Sequence, residues 1–254
     1  MSLTLWKFEA RQTVAASSYG VAFDGGAQSY IAAADYYWET LGSAGSSLRA
    51  ALQTIVAAHS ASSTVVIADD TGLMTITWGS GSHSLEWSST AFRDACGFAG
   101  NIANGAGPNT GTKQVKGLWL PNHPPFGLLG SINSLGRRVS HRKIVTSESG
   151  ATYVRKLGER YEQAFKFRGL TVAKTFEQDE VRVNESYESF YVDYLESGSA
   201  FRAYKDRTDD TSSLLPDGTT RRDYFEVSDN FAATRDRESY DPLWSLNIDA
   251  VARE

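Results

Sequence analysis

The segment Asp70-Thr71-Gly72 has the residue types with which aspartic proteases present a catalytic carboxylate, and it follows the apolar run Val65–Ala68. Such an enzyme needs two carboxylates that face each other and share one proton. A second protomer could supply the other carboxylate, and Leu128-Leu129-Gly130 resembles the later apolar segment of those enzymes. However, Leu73-Met74 stands where they usually carry Ala or Ser, and no second Asp-(Ser/Thr)-Gly occurs. Because Asp and Gly also favour tight turns, we interpret the segment as a bend between two strands.

Residues that could bind metal ions are scattered along the sequence. Four histidines lie far apart, and none has the His-x-His or His-Glu-x-x-His spacing of a local site: His59, His83, His123 and His141. His59 ends a predicted helix, where the helix dipole favours a cation. The carboxylates of Asp206–Asp210 could hold calcium, but this segment lacks the Gly and the terminal Glu of a calcium-binding loop. The single cysteine, Cys96, excludes a disulfide within the chain and a Cys-based zinc site.

Sequence patterns typical of other enzymes are absent as well. The chain has no G-x-S-x-G, no phosphate-binding glycine loop and no G-x-G-x-x-G after a strand. We therefore predict that the protein is not an enzyme. We also predict no catalytic residue, no metal ligand and no cofactor.

Two amphipathic helices are predicted among segments that otherwise favour strands. The first spans residues 47–59, with Leu48, Leu52, Ile55 and Val56 on one face and a serine cap. The second spans residues 185–196 after Asn184, and its apolar face is aromatic: Tyr187, Phe190, Tyr191, Tyr194 and Leu195. Such a face could stack sugars, but at helical spacing it is more often part of a core.

The prolines of Pro121–Gly127 interrupt regular structure and mark the best candidate domain boundary. We predict an N-terminal β-rich domain over 1–121, a Pro/Gly linker over 122–136 and a C-terminal β-rich domain over 137–254. Segments 99–112 and 208–220 are predicted to be loops. The expected fold class is α+β and mainly β, with two β-sandwich-like or barrel-like domains that each contain one amphipathic helix.

Composition limits the possible partners. The net charge is −5 and the basic clusters are short, so nucleic acid is not expected as a partner. No apolar run is long enough to cross a bilayer, and the first residues lack the apolar core of a signal peptide. We therefore expect no membrane contact and synthesis in a cytoplasm.

Two stretches together resemble uncharacterised virion structural proteins of tailed bacteriophages. The first runs from LRAALQTIV through VVIADDTGLMTITW and HSLEW to FRDACGF, and the second from NESYESFYVDYLESGSAFRAYKD through YFEV to PLWSLNIDAV. The resemblance covers most of the chain and rests on pattern, without a diagnostic motif. It implies a β-rich subunit of an assembled particle, without catalysis.

From the resemblance we expect a tail or distal-tail (baseplate) component, made in the host cytoplasm and located in the virion. It would associate with copies of itself, in a ring or another symmetric homo-oligomer, and with other tail proteins. The segments 99–112, 208–220 and Pro121–Gly127 are the expected contact surfaces. One alternative is a head decoration or head–tail connector protein. The other is a carbohydrate-binding module for a host surface glycan, which would use exposed aromatics such as Trp78, Trp87 and Trp119.

Overall fold

The structure, a computed structural model, describes residues 3–4, 7–38, 47–68, 70–121, 130–132, 137–146, 152–176, 186–204, 223–226, 231–235 and 243–252. It is mainly β, with 47% strand against 18% helix, and its largest sheet curls into a half-barrel. The predicted α+β, mainly β class is thus confirmed. Among the described residues, no helix has the length and apolar character needed to span a bilayer.

The described strands are β1 (Leu3–Thr4), β2 (Lys7–Ala10), β3 (Gln12–Val14), β4 (Gly20–Phe23), β5 (Ser29–Tyr30), β6 (Ala34–Tyr36), β7 (Thr64–Ile67), β8 (Leu73–Thr77), β9 (His83–Trp87), β10 (Ile102–Gly105), β11 (Asn109–Gln114), β12 (Leu118–Trp119), β13 (Gly130–Ile132), β14 (Arg137–Thr146), β15 (Thr152–Leu170), β16 (Phe201–Tyr204), β17 (Tyr224–Glu226), β18 (Ala233–Arg235) and β19 (Trp244–Ala252). The helices are α1 (Leu48–His59), α2 (Thr90–Ala95), α3 (Val172–Thr175) and α4 (Tyr187–Phe190), and α4 continues as a π-helix over Tyr191–Leu195.

Helix α1 forms where its sequence pattern predicts it. The Ser47 side chain accepts a hydrogen bond from the backbone N–H of Ala50 and caps the first turn. Leu48, Leu52 and Val56, four residues apart, are fully buried. This face packs into the first of two cores, together with strands of three smaller sheets ordered β10-β9-β4-β5, β11-β8-β7 and β3-β6.

Segment 99–112, predicted to be a loop, instead contains β10 and much of β11. Strand β10 pairs with β9, and β11 pairs with β8. Asn, Gly and Ala, which dominate this segment, have weak strand preferences, so local sequence gave no indication of these strands. Strand β11 requires a glycine at position 111, because a Cβ there would lie 2.9 Å from the backbone oxygen of Gly97.

The largest sheet forms around the second core. Its strand order is β1-β13-β15-β19-β17-β16-β2-β12, with β14 and β18 paired to β15 and β19. The predicted second helix is confirmed over 187–195, and its aromatic face is buried in this core. Strand β15 ends at Leu170, and the short helix α3 follows.

The two cores are not divided at one point in the sequence. Strands β2 and β12 belong to the N-terminal part of the chain, yet β2 pairs with β16 and β12 pairs with β2. Phe8 and Trp119 lie in the second core, with Phe165 and Phe201. The predicted linker also contributes β13, which pairs with β1 and β15. The division into domains at 122–136 stays a prediction, and the N-terminal part lends strands to the C-terminal sheet.

Candidate metal centre and assembly ribbon

Asp24 projects from a tight turn at the end of β4. The backbone N–H of Gly26 donates to the carbonyl of Phe23 at 2.8 Å, which closes the turn. Asp24 and Gly25 both have positive φ, 51° and 73°, and Asp-Gly is a preferred pair for a turn of this kind. Asp24 thus keeps a left-handed backbone that few non-glycine residues adopt.

Two histidines from other elements meet this carboxylate. His59 is the last residue of α1, and its ring stacks on Phe23 at 4.3 Å between centroids, with 7° between the planes. His83 is the first residue of β9, and its ring meets Trp78 edge to face at 5.4 Å. Strands β4 and β9 pair, with Phe23 opposite Leu85, so the register brings Asp24 and His83 together.

Three potential ligand atoms lie at the corners of a small triangle. Asp24 Oδ2 is 2.8 Å from His83 Nδ1 and 3.1 Å from His59 Nε2. The two ring nitrogens, His59 Nε2 and His83 Nδ1, are 3.2 Å apart. We call these three residues the His–Asp cluster. Their side chains are 41%, 29% and 21% exposed for Asp24, His59 and His83, so solvent ions can reach them.

The atoms on the far side of the cluster have fixed partners. The backbone N–H of Ser84 donates to Asp24 Oδ1 at 2.8 Å, and the Ser84 hydroxyl donates to the same oxygen at 3.3 Å. His83 Nε2 lies 3.0 Å from the carbonyl oxygen of Ser80. Since a carbonyl only accepts, Nε2 carries the proton, and a neutral His83 directs the lone pair of Nδ1 at the carboxylate. The Nδ1 lone pair and the carboxylate repel each other, and a second proton on the ring or a bound cation relieves this repulsion.

The electrostatics of the cluster follow from these contacts. The hydrogen bond with Asp24 raises the pKa of His83 above its usual value. The hydrogen bonds from His83, from the Ser84 backbone and from His59 hold the pKa of Asp24 well below its usual range. Asp24 is therefore a carboxylate at neutral pH, able to accept hydrogen bonds from the imidazoles or to bind a cation.

Sequence spacing could not reveal this cluster. We predicted no metal ligand, and we interpreted His59 only as a favourable charge at a helix C-terminus. The three residues lie on a turn, a helix end and a strand start that are far apart in the sequence. The Asp-Gly pair before Gly26 was the one local indication of a fixed turn at Asp24.

The Asp70-Thr71-Gly72 segment forms the bend that we predicted. Strands β7 and β8 form an antiparallel hairpin with Ile67 opposite Met74, and the backbone N–H of Gly72 donates to the carbonyl of Ala68 at 2.8 Å. Asp70 is exposed in this turn, and Gly72 has a φ of 66°. The turn conformation thus explains the Gly without any protease chemistry.

Asp70→Asn is expected to change the free energy of unfolding by less than about 0.5 kcal/mol, because the side chain is exposed. Gly72→Ala is the contrasting variant, expected to cost more than about 1 kcal/mol, since its Cβ would meet Gln114 and Leu118 at 2.5 and 2.9 Å. Urea unfolding followed by circular dichroism measures both. A pepstatin-sensitive activity that Asp70→Asn abolishes would contradict the turn interpretation.

The aromatic residues considered for glycan binding are buried. Trp78, Trp87 and Trp119 are 5%, 8% and 0% exposed, so the expectation that they could stack sugars is wrong. Their indole rings fill the two cores, where large rings bury the most apolar area. The other segments considered, Asp206–Asp210 with 208–220 and most of Pro121–Gly127, lie outside the described residues, as does His123.

A two-stranded ribbon extends from the largest sheet. Strand β14 pairs with β15 from Arg137↔Glu162 to Thr146↔Thr152, whereas β19 pairs with β15 only over Tyr161–Leu170. Within the described residues, 152–160 of β15 therefore pair with β14 alone. We call residues 137–146 and 152–160 the ribbon; at about 3.3 Å per residue it is roughly 30 Å long. Its register shifts between His141 and Arg142, as at a β-bulge, which bends and twists such pairs.

No family model matches the chain, and neither a curated protein nor a solved structure matches it. Its function is therefore inferred from its own residues.

Proposed function

We propose that this protein is a structural subunit of a tailed phage particle, a tail or distal-tail component that assembles with copies of itself and with other virion proteins. The observation that carries the proposal is the ribbon. It is a long β-hairpin whose outer part has no further strand beside it among the described residues. The sequence resemblance to phage virion proteins is the other support.

The ribbon needs a partner for physical reasons. An isolated two-stranded hairpin is only marginally stable in water. Its two edges present backbone N–H and C=O groups that can pair with a strand of another chain. The ends of the main sheet are different, since β1 and β12 have only 2 residues each and offer little edge to pair with. The ribbon is thus the longest edge available for assembly in the described part of the sheet.

The charge distribution favours a second copy as that partner. The ribbon together with the residues 147–151 that join its strands contains seven Arg and Lys against two Glu, a net charge of +5 within a chain whose total is −5. The rest of the chain therefore carries −10, and the basic ribbon of one copy is attracted to the acidic body of the next. A head-to-tail contact of this kind closes into a ring when the rotation between copies permits.

Reversing charge on the ribbon is expected to weaken self-association. The variant is Arg142→Glu with Lys143→Glu, and the matched control is Lys113→Glu with Arg235→Glu. The control residues are exposed on β11 and β18, and the change in net charge is the same. Loss of one favourable charge pair across an interface, at about 1.4 kcal/mol, raises the dissociation constant about tenfold.

Sedimentation velocity over a concentration series measures this association. Wild-type protein and the control variant are expected to form the same species larger than the 27.8 kDa monomer. The ribbon variant is expected to remain monomeric over the range in which they associate. A wild-type protein that stays monomeric throughout, or two variants that dissociate equally, would contradict assembly through the ribbon.

A further inference from the structure

We infer that the His–Asp cluster is a binding site for a divalent transition-metal ion, and that Zn²⁺ is the ion its donor atoms fit. The inference does not depend on the proposed role in a phage particle. It rests on the positions of three donor atoms, on the groups that orient them and on the elements they join.

The spacing of the donor atoms matches one face of a zinc tetrahedron. Zn²⁺ binds imidazole nitrogen and carboxylate oxygen at about 2.0–2.2 Å, which places neighbouring donors about 3.4 Å apart. In the cluster the three edges are 2.8, 3.1 and 3.2 Å. An entering ion therefore requires movements of only a few tenths of an ångström.

The donor types select the class of ion. Two imidazole nitrogens and one carboxylate oxygen suit Zn²⁺ and its neighbours among the later first-row metals. Calcium and magnesium prefer sites made entirely of oxygen donors. The three residues supply three of the four positions of a tetrahedron, and the exposure of the cluster leaves the fourth to water.

The surrounding contacts orient the ligands as metal sites require. A ligating histidine usually donates its other ring N–H to a carbonyl or carboxylate, which fixes the tautomer that ligates. The contact between His83 Nε2 and the Ser80 carbonyl does this and leaves Nδ1 directed at the cluster. Ser84 holds Asp24 Oδ1 in the same way, so that Oδ2 faces the two imidazoles.

The backbone and the aromatic neighbours limit movement of the ligands. Asp24 has a left-handed backbone, a strained conformation that persists where the surroundings impose it and that concentrates at functional sites. The ring of His59 lies flat on Phe23, and the ring of His83 abuts Trp78. A bound ion would cross-link the end of α1, the turn after β4 and the start of β9 around the first core.

Isothermal titration of chelator-treated protein with ZnCl₂, in a buffer that does not bind zinc, tests the site. One ion per chain is expected to bind. His59→Ala and His83→Ala are each expected to weaken binding by at least about tenfold, because loss of even a supporting group around a metal costs 10–100-fold. His123→Ala and His141→Ala are the matched controls: each removes a histidine outside the cluster and is expected to leave zinc binding unchanged.

Asp24→Asn is a third variant, chosen because it is expected to fold: Asn also tolerates the left-handed backbone of the turn. It is expected to retain the wild-type circular dichroism spectrum and to lose zinc affinity. Thermal unfolding gives a second readout: zinc at a hundredfold excess over its Kd should raise the Tm of wild-type protein by about 5–10 °C. CaCl₂ at the same concentration should leave the Tm unchanged.

Two results would overturn the inference. One is the absence of both heat and Tm shift when wild-type protein meets ZnCl₂. In that case the cluster is held by protons alone, with His83 as an imidazolium. The other is zinc binding of unchanged affinity in both His59→Ala and His83→Ala, because the ion would then bind outside the cluster.

Discussion

Replacing Trp119 with alanine is expected to lower the free energy of unfolding by about 3–5 kcal/mol, the range for large aromatic truncations in a packed core. Trp119 is fully buried. Its ring lies 4.9 Å from that of Tyr187, 5.1 Å from Phe167 and 5.3 Å from Phe8 between centroids. Truncation removes all of these contacts at once and leaves a cavity, because the packed sheet and helix relax only partly into the space.

The position of Trp119 extends this prediction to the whole chain. It lies on β12, near the end of the predicted N-terminal domain, yet its side chain belongs to the second core. If the two parts of the chain depend on this shared core, Trp119→Ala destabilises the whole protein in one transition. Urea unfolding followed by circular dichroism measures the effect. The control is Val66→Ala on β7, a truncation at a side chain 51% exposed, expected to cost less than about 0.5 kcal/mol. A loss below about 1 kcal/mol for Trp119→Ala would contradict this role.

Removing one member of the buried pair Lys7–Glu9 is expected to cost about 3–5 kcal/mol, because the other charge stays buried after the loss of this ion pair. Lys7 Nζ lies 2.6 Å from Glu9 Oε1, and the two side chains are 1% and 0% exposed. Tyr204 contacts both members of the pair, since its hydroxyl donates to Glu9 Oε2 at 3.3 Å and its ring lies 4.3 Å from Lys7 Nζ. These contacts join β2 to β16 across most of the length of the chain.

A double-mutant cycle tests the pair. Lys7→Met and Glu9→Leu are each expected to destabilise strongly, and the double variant is expected to lose less than the sum of the two, since apolar replacement of a whole buried pair is often neutral or stabilising. The control is Arg93→Met, which breaks the more exposed ion pair of Arg93 with Asp94 and should cost less than about 1 kcal/mol. Additive losses in the cycle would show that Lys7 and Glu9 do not stabilise each other.

The parts of the fold predicted correctly are those that local sequence determines. Helix α1 combines a serine cap with apolar residues four apart, and both signals lie within its own residues. The β7–β8 hairpin follows from alternating apolar residues around an Asp-Thr-Gly turn. In both cases the elements and their contacts are close in sequence.

The features missed depend on contacts between distant residues. Strands β10 and β11 consist largely of residues with weak strand preference, and they are strands because β9 and β8 offer edges for pairing. Burial of Trp78, Trp87 and Trp119 could not be read from their spacing. Strands β14 and β15 are neighbours in sequence, but only the register with β19 reveals that part of their hairpin extends beyond the sheet.

The His–Asp cluster shows the same limit for the candidate metal site. Metal motifs are recognisable in sequence when two ligands share one helix or loop. Here Asp24, His59 and His83 come from three elements, so their convergence depends on the β4–β9 register and on where α1 ends.

Immunogold electron microscopy of particles from the culture that produces this protein tests the proposed location most directly. A polyclonal antibody shown to bind the native chain would be applied to intact particles, and purified particles would be probed by immunoblot for a band at 27.8 kDa. A virion tail subunit predicts the band, with gold along the tail or at its tip. Gold on heads would instead indicate a head decoration or head–tail connector protein. Purified particles without the band, from a culture whose lysate contains it, would contradict a place in the virion.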